Sequence, residues 1–261
     1  MIKVKRPAMP DILKESHPDW TKTLVDLVNE YGRYDKIPKD EKKQIVNQYQ
    51  HNDIKEAVKK MFHGKCVFCE EHIETVTYTH IEHFHPKSIY YEETFEWENL
   101  FPACSKCNIS KGKHDTKKEP IVNPEKDDPE KYFIYPLVRI QSAPESPDSE
   151  KSQRTIEVCD LKRLSLYRAM ATILNQFYEN ERTLEEKMND CNNLTQKAAK
   201  IKRLHRIHET LESMKATSAN TESHAGFLRY LLRTNEVVKN AIQLINKHKN
   251  ELALCSDFEL Y

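Results

Sequence analysis

A chain of 261 residues that balances 41 basic against 41 acidic side chains, with a pI near 7.2 and a mean hydropathy of −0.79, cannot hold nucleic acid by bulk positive charge. Any grip on phosphate must come from local patches or from a partner. Hydrophobic residues make up 38% of the chain, enough for a core if long helices each bury one face, and no apolar run reaches the roughly 18 residues of a membrane span. The opening Met1-Ile-Lys-Val-Lys-Arg-Pro7 has basic residues but no apolar stretch behind them, so no secretory signal is expected and the expected compartment is the cytoplasm.

In chain order, Trp20, Leu24, Leu27, Val28 and Tyr31 fall at helical spacing. Asp53 can cap a second helix carrying Ile54, Val58, Met61 and Phe62, with Gly64 as its stop. The β-branched and aromatic stretch from Thr75 to Phe84 reads as a strand or hairpin arm. Phe95 to Leu100 reads as a short turn of helix. Tyr132 to Ile140 is a candidate strand, with Pro136 arguing for an edge, and the turn-rich stretch from Ser142 to Ser149 is the clearest boundary.

Beyond about residue 160 the pattern becomes helical. Leu161, Leu164, Tyr167, Leu174 and Phe177 mark one stripe, and Leu184 through Leu211 mark a longer one. Phe227, Leu231, Val238, Ile242 and Ile245 mark the last. A bundle core accounts for these stripes, and a partner-binding face is compatible with it. The run Lys197 to Arg206 holds no acid; it reads as a solvated helix face, or as a place where a phosphate backbone could lie. The expected organisation is an N-terminal helical segment over 1–62, a compact centre over 63–141 and a C-terminal helical region over 150–261.

The chemistry lies in that centre. Cys66-Val-Phe-Cys69 and Cys104-Ser-Lys-Cys107 are two tight thiolate pairs, the spacing that closes a tetrahedral zinc site. Sulfur fills all four positions, so the ion expected there is structural, with no place left for a reacting water. Cys159, Cys191 and Cys255 are isolated, which suits a reducing compartment better than a disulfide framework. Between the pairs stands Glu82-His83-Phe84-His85-Pro86-Lys87-Ser88. A neutral imidazole at His83 can deprotonate water near pH 7, Glu82 supplies the hard oxygen that Mg²⁺ or Mn²⁺ prefers, and the Asn108 amide can complete a divalent-ion site with it. Asn99 is placed to orient the loop bearing His83. Strict strand alternation sets His83 and His85 on one face and Glu82 on the other, so Glu82 and His83 can cooperate only if the strand twists or ends there.

Cys66-x-x-Cys69, Glu82-His83, Pro86, Asn99-Leu100, Cys104-x-x-Cys107-Asn108 and Lys111-Gly112 together resemble the zinc-knotted HNH endonucleases. That resemblance covers about fifty residues and implies a central ββα-metal core; with the helical stripes on either side, the expected fold is α+β, predominantly helical, with N-terminal helices and a C-terminal helical bundle. It implies phosphodiester hydrolysis in which His83 activates water while Glu82 and Asn108 hold one divalent ion. The family's common pattern has Asp where this chain has Glu82, and His85 is an addition that competes for the role of base. More broadly, the opening Ile2 to Pro7, the phrase around His83 and the helical C-terminal half resemble the HNH subunit of Septu-type anti-phage systems, also found with some retrons. This implies an ABC- or SMC-type ATPase partner and DNA as substrate. For retron relatives it implies transfer RNA, with a retron reverse transcriptase and its msDNA as further partners. A catalytically idle zinc module bridging nucleic acid and protein is the alternative. A zinc-dependent transcription factor is poorly supported, because the basic stretch Lys106 to Lys118 is broken by Gly112.

Overall fold

Pro10, with φ of −59°, stands just before the first helix, α1 (Asp11–Tyr31), where its fixed backbone angle and missing N–H suit a helix start. A computed structural model of the protein describes residues 1–73 and 80–261. These group into two units, one of Met1–Phe133 with Ile140–Arg163 and one of Ile134–Arg139 with Leu164–Tyr261.

In the first unit α1 ends at Gly32, whose φ of 76° is the left-handed turn that glycine takes without a Cβ clash. After α2 (Lys39–Val46), α3 (Asn52–Met61) is capped by His51, whose Nδ1 accepts from the Asp53 N–H at 3.3 Å. Asp53 is therefore not the cap its sequence position suggests. It lies inside the first turn, where its carboxylate favours the positive end of the helix dipole. Gly64 closes α3 as expected, with φ of 73° and its N–H on the Lys59 carbonyl at 2.9 Å.

β1 (His80–His83) pairs antiparallel with β2 (Leu100–Ala103), His80 opposite Ala103 and His83 opposite Leu100. α4 (Ser105–Lys111) follows directly, so two short strands and one helix form a ββα unit inside a mostly helical chain. Residues 75–79 of the expected arm lie outside the described residues. The strands are too short to bury a face against each other. Instead Ile81 and Leu100 join Trp97 and Phe95 in a core with Leu24 and Val28 of α1, Val46 of α2 and Ile54 and Val58 of α3. Burying these apolar faces from water fixes the N-terminal helices to the strands.

The first residues thread this core as a strap. Ile2 is fully buried and the Val4 N–H donates to the Pro124 carbonyl at 3.0 Å. The Arg6 guanidinium donates to the carbonyls of Trp97 at 2.6 Å and Leu100 at 3.0 Å and pairs with Glu125 at 2.8 Å. It also lies over the Trp97 and Phe101 rings. One side chain thus satisfies the backbone of the short 3₁₀ turn Trp97–Asn99 that leads into β2.

The candidate strand over 132–140 is not one. Tyr132 ends the short helix α5 (Pro129–Tyr132), capped by Asp128, and only Phe133 and Ile134 are extended before a turn in which the Arg139 N–H meets the Pro136 carbonyl at 3.2 Å. An Asp-Pro helix start outweighed the β-branched composition. Past the turn-rich loop, α6 (Ser149–Val158) is capped by Asp148, yet it belongs to the first unit. Its Thr155 hydroxyl accepts from the Val122 N–H at 2.8 Å and its Arg154 donates to the Pro120 carbonyl at 2.9 Å.

The second unit holds α7 (Leu164–Asn193), α8 (Lys197–Ala216), α9 (Ala225–Thr234) and α10 (Glu236–Lys247). The sequence stripes divide differently. α7 runs through the gap between the first two and carries Leu174, Phe177, Leu184 and Cys191 on one buried face, while the longer stripe breaks at residues 194–196. Asn235 splits the last stripe, its amide oxygen capping α10 from the Val238 N–H at 2.9 Å and its amide nitrogen reaching Glu181 at 2.7 Å. No helix among the described residues is long and apolar enough to cross a membrane.

Arg6→Met should strand the Trp97 and Leu100 carbonyls and leave Glu125 unpaired, costing about 3 kcal/mol. A clearly lowered Tm is expected; an unchanged one would show that the strap does not hold the turn.

Candidate functional site

The four paired cysteines converge. Their Sγ atoms lie within 4.8 Å of one another, all buried, and Cys69 and Cys104 are 3.8 Å apart, the edge of a tetrahedron with metal–sulfur bonds of about 2.3 Å. Four thiols this close cannot all ionise by themselves. Hydrogen bonds, first from Cys107, pull Cys104 down from the usual thiol range. Burial pushes Cys66 up, and bonds to Cys104 push Cys69 and Cys107 up. A divalent cation with a taste for sulfur resolves that conflict, so the donor set fits zinc. The knot is also tied to the strands, the Val67 N–H donating to the Pro102 carbonyl of β2 at 2.8 Å.

Residues outside the paired motif also reach the sulfurs: Glu71 accepts from Cys69 Sγ at 3.6 Å, and Arg163 comes from far along the chain. Arg163 donates to Cys107 Sγ at 3.4 Å and to Glu71 at 2.9 Å. Burial alone would lower its pKa, but the Cys107 and Cys69 sulfurs hold it above the ordinary arginine value. Four thiolates around a dication leave two net negative charges, which this guanidinium partly offsets. Its distance in sequence, 56 residues from Cys107, left no local signal.

Beside the knot a cavity of about 660 Å³ is lined by Glu82, His83 and Asn108 together. Glu82 and His83 are the last two residues of β1, and both nevertheless line this cavity. His85, three residues beyond Glu82, faces a different cavity of about 530 Å³ with Asn99, Glu93 and Lys117. The alternation that would set His83 and His85 on one face stops with the strand at His83, and the chain turns at Pro86, whose carbonyl accepts from the N–H groups of Ile89 and Tyr90 at 2.9 Å.

His83 is 4% exposed. Its Nε2 lies 2.9 Å from the Thr94 carbonyl; a carbonyl only accepts, so Nε2 carries the hydrogen and Nδ1 keeps the lone pair. Burial, then the positive charge of Lys87, holds the ring well below the usual histidine range and therefore neutral. Tyr49 packs edge-on against it, 4.6 Å between ring centres. His85 is differently engaged: the Thr116 hydroxyl donates to the Phe84 carbonyl at 2.8 Å and so accepts from His85 Nδ1 at 2.7 Å.

Asn99 lines no part of the larger cavity. Its amide nitrogen donates to the carbonyls of His85 and Glu93, each at 3.0 Å, and its oxygen accepts from the His85 N–H at 2.7 Å. The loop between β1 and the 3₁₀ turn is pinned at both ends, with Glu93 next to the carbonyl that orients His83.

Glu82 is held by a partner not expected from sequence. Lys111, at the end of α4 and 2% exposed, donates to Glu82 Oε1 at 2.5 Å and to the His83 carbonyl at 3.0 Å. Burial raises the Glu82 pKa and the Lys111 charge opposes the rise. The Lys-Gly pair after Asn108 marks the position, but nothing local says that the lysine folds inward.

Comparison with known proteins bears on this arrangement. Residues 66–114, which contain both cysteine pairs, Glu82, His83, Asn99 and Asn108, match the HNH endonuclease family. The chain carries an HNH endonuclease domain. It is 40% identical over 115 residues to Septu protein PtuB of Bacillus thuringiensis, covering 42% of each chain. It is 29% identical over 203 residues to Septu protein PtuB of Bacillus mycoides strain KBAB4, covering 66% of this chain and 67% of that one. The matches thus span about two fifths to two thirds of the curated relatives. The HNH domain is itself only part of the first unit: the N-terminal helices that flank its strands, the Arg6 strap and Arg163 all lie outside the matched residues.

Zinc should bind at one ion per chain, and its removal by a chelator should unfold residues 65–120 of the HNH domain, because knot formation and folding are coupled. Circular dichroism and melting that survive complete zinc removal would refute this. Arg163→Ala should leave the four-sulfur coordination unchanged but weaken zinc retention at least about tenfold, read as faster transfer to a chromogenic chelator.

Proposed function

We propose that this chain is a metal-dependent nuclease that hydrolyses phosphodiester bonds as the effector of an anti-phage defence system in the cytoplasm. The observation carrying this reading is His83: a buried, neutral imidazole whose hydrogen is committed to the Thr94 carbonyl, in one cavity with Glu82 and Asn108. In the reaction Nδ1 of His83 takes a proton from the attacking water, a role that a ring held neutral performs without first losing a proton of its own. Thr94 and Tyr49 keep the ring aimed, and Asn99 keeps the Thr94 segment in place. A divalent ion of the Mg²⁺ or Mn²⁺ class, held by Glu82 and Asn108, supplies charge stabilisation at the phosphate when bound. Lys111 holds the Glu82 carboxylate through Oε1.

The sequence relation to proteins named for the Septu system supports the defence role. A neutral chain, 41 basic against 41 acidic residues, supports dependence on a partner for substrate delivery, and an ABC- or SMC-type ATPase is the partner we infer. DNA is the first substrate to test and transfer RNA the second, since contacts to phosphates do not tell the two apart.

One observation favours the idle-module reading: the Lys111 ammonium already occupies one oxygen of Glu82. A single experiment separates the two. Purified protein, alone and with the ATPase, is incubated with plasmid DNA and with total RNA in Mg²⁺ and in Mn²⁺, beside His83→Ala. Cleavage should fall at least about a hundredfold in the variant with an unchanged Tm. Retained cleavage would move the base to His85. A zinc-loaded wild-type protein that binds the ATPase but never cuts would be the idle module.

A further inference from the structure

The larger cavity carries more charge than catalysis at one phosphate requires. Lys42 of α2, Lys55 of α3, Lys87 after β1 and Lys113 after α4 all line it. Among the described residues none of the four has a carboxylate within ion-pair distance. The two carboxylates on the same cavity are already taken, Asp35 by Arg33 at 3.0 Å and Glu82 by Lys111 at 2.5 Å. Some other lysines of the first unit do find acids, Lys117 with Glu93, Lys118 with Asp115 and Lys151 with Asp127. In a chain with equal numbers of acids and bases, four unmatched ammonium groups around one concave surface are a local excess. Low-dielectric walls focus their field into the cavity.

Two of the four are also braced. Lys42 Nζ lies 4.9 Å from the centre of the Tyr34 ring, and Lys87 Nζ lies 5.0 Å from that of Tyr49. Aromatic faces hold a cation in place without cancelling its charge, so these ammonium groups stay available to a ligand. Four separate segments contribute, and two of them, α2 and α3, precede the matched HNH residues 66–114. Their apolar faces are locked to Ile81 and Leu100 by the shared core, which gives the lysines on their other sides a fixed distance from His83.

We infer that α2 and α3 form the substrate-gripping wall of this site, Lys42 and Lys55 holding backbone phosphates of a nucleic-acid strand on either side of the one presented to His83, with Lys87 and Lys113 facing them. The inference rests on the nuclease reading for what happens at His83, but the binding it describes is independent of cleavage. It names the ligand as a strand with several consecutive phosphates. A mononucleotide, which meets one lysine at a time, binds far more weakly.

The test uses the full chain with zinc bound and His83→Ala as background, so that no substrate is consumed. Fluorescence anisotropy follows labelled twenty-nucleotide DNA, the same sequence as RNA, and a mononucleotide across a salt series. Lys42→Gln with Lys55→Gln should weaken both oligonucleotides and lower the slope of log affinity against log salt by about 1 for each lysine removed. Lys42→Arg with Lys55→Arg should restore both, and zinc content and Tm should match the parent throughout. DNA and RNA affected alike identifies the shared backbone as the ligand; an effect on one alone names that polymer as the substrate. An unchanged slope in the glutamine pair, or oligonucleotide binding no tighter than mononucleotide, overturns the proposal. If the lysine effects hold while protein with His83 intact cuts nothing, the wall stands and the nuclease reading falls.

Discussion

Everything at this site is referred to four sulfur atoms. Between Cys66 and Cys107 the described residues form two strands of four residues, short 3₁₀ turns and connecting loops, too little regular structure to hold catalytic atoms in place by itself. Buried thiols within 4.8 Å would resolve their mutual conflict by sharing a cation, and that shared bond would fix the start of α4 against the strands. α4 in turn delivers Asn108 to one side of the cavity and Lys111 to the back of Glu82. The surrounding helices then act on a frame whose geometry is set. α1, α2 and α3 cover one flank of the strands, α6 ties the following loops, and the N-terminal strap secures the 3₁₀ turn.

A second line of control runs through hydrogen bonds rather than metal. Asn99 fixes the loop at His85 and Glu93, the adjacent Thr94 carbonyl takes the His83 hydrogen, and the Tyr49 edge prevents the ring from turning. Each contact decides something the previous one leaves free: first the loop path, then the tautomer, then the ring orientation. Neutrality of the imidazole follows from its depth in the fold and from the nearby Lys87.

The knot is legible in the sequence because it depends on short spacings. Two Cys-x-x-Cys pairs, Glu82-His83 and the residues after Cys107 are local patterns, and the ββα frame with its four-sulfur cluster is what they describe. Period-based reading also found the helical C-terminal half, though it placed the breaks wrongly. A stripe of apolar residues does not say where polar capping residues such as Asn235 interrupt it. Residues whose meaning is non-local were out of reach. Arg163 meets Cys107 across 56 positions, Arg6 meets Leu100 across 94, and Tyr49 reaches His83 from the turn between α2 and α3. Lys111 sits inside a recognised pattern, yet only the packing shows that its ammonium faces inward. The strand assigned to 132–140 failed because β-branched composition was read without the Asp-Pro start that precedes it.

Asn99 shows how finely such a frame can be encoded. Its side chain uses both of its N–H donors and accepts one bond on its oxygen. Aspartate has the same outline and the same rotamers, but its carboxylate would turn two attractions into two repulsions against carbonyl oxygens. Leucine has a similar bulk and no polarity at all. The position therefore stores its information in the placement of hydrogens, not in volume. Replacing one nitrogen by oxygen, the slow chemical ageing to which every asparagine is subject, would undo here what a much larger change on a solvent-facing helix would leave untouched.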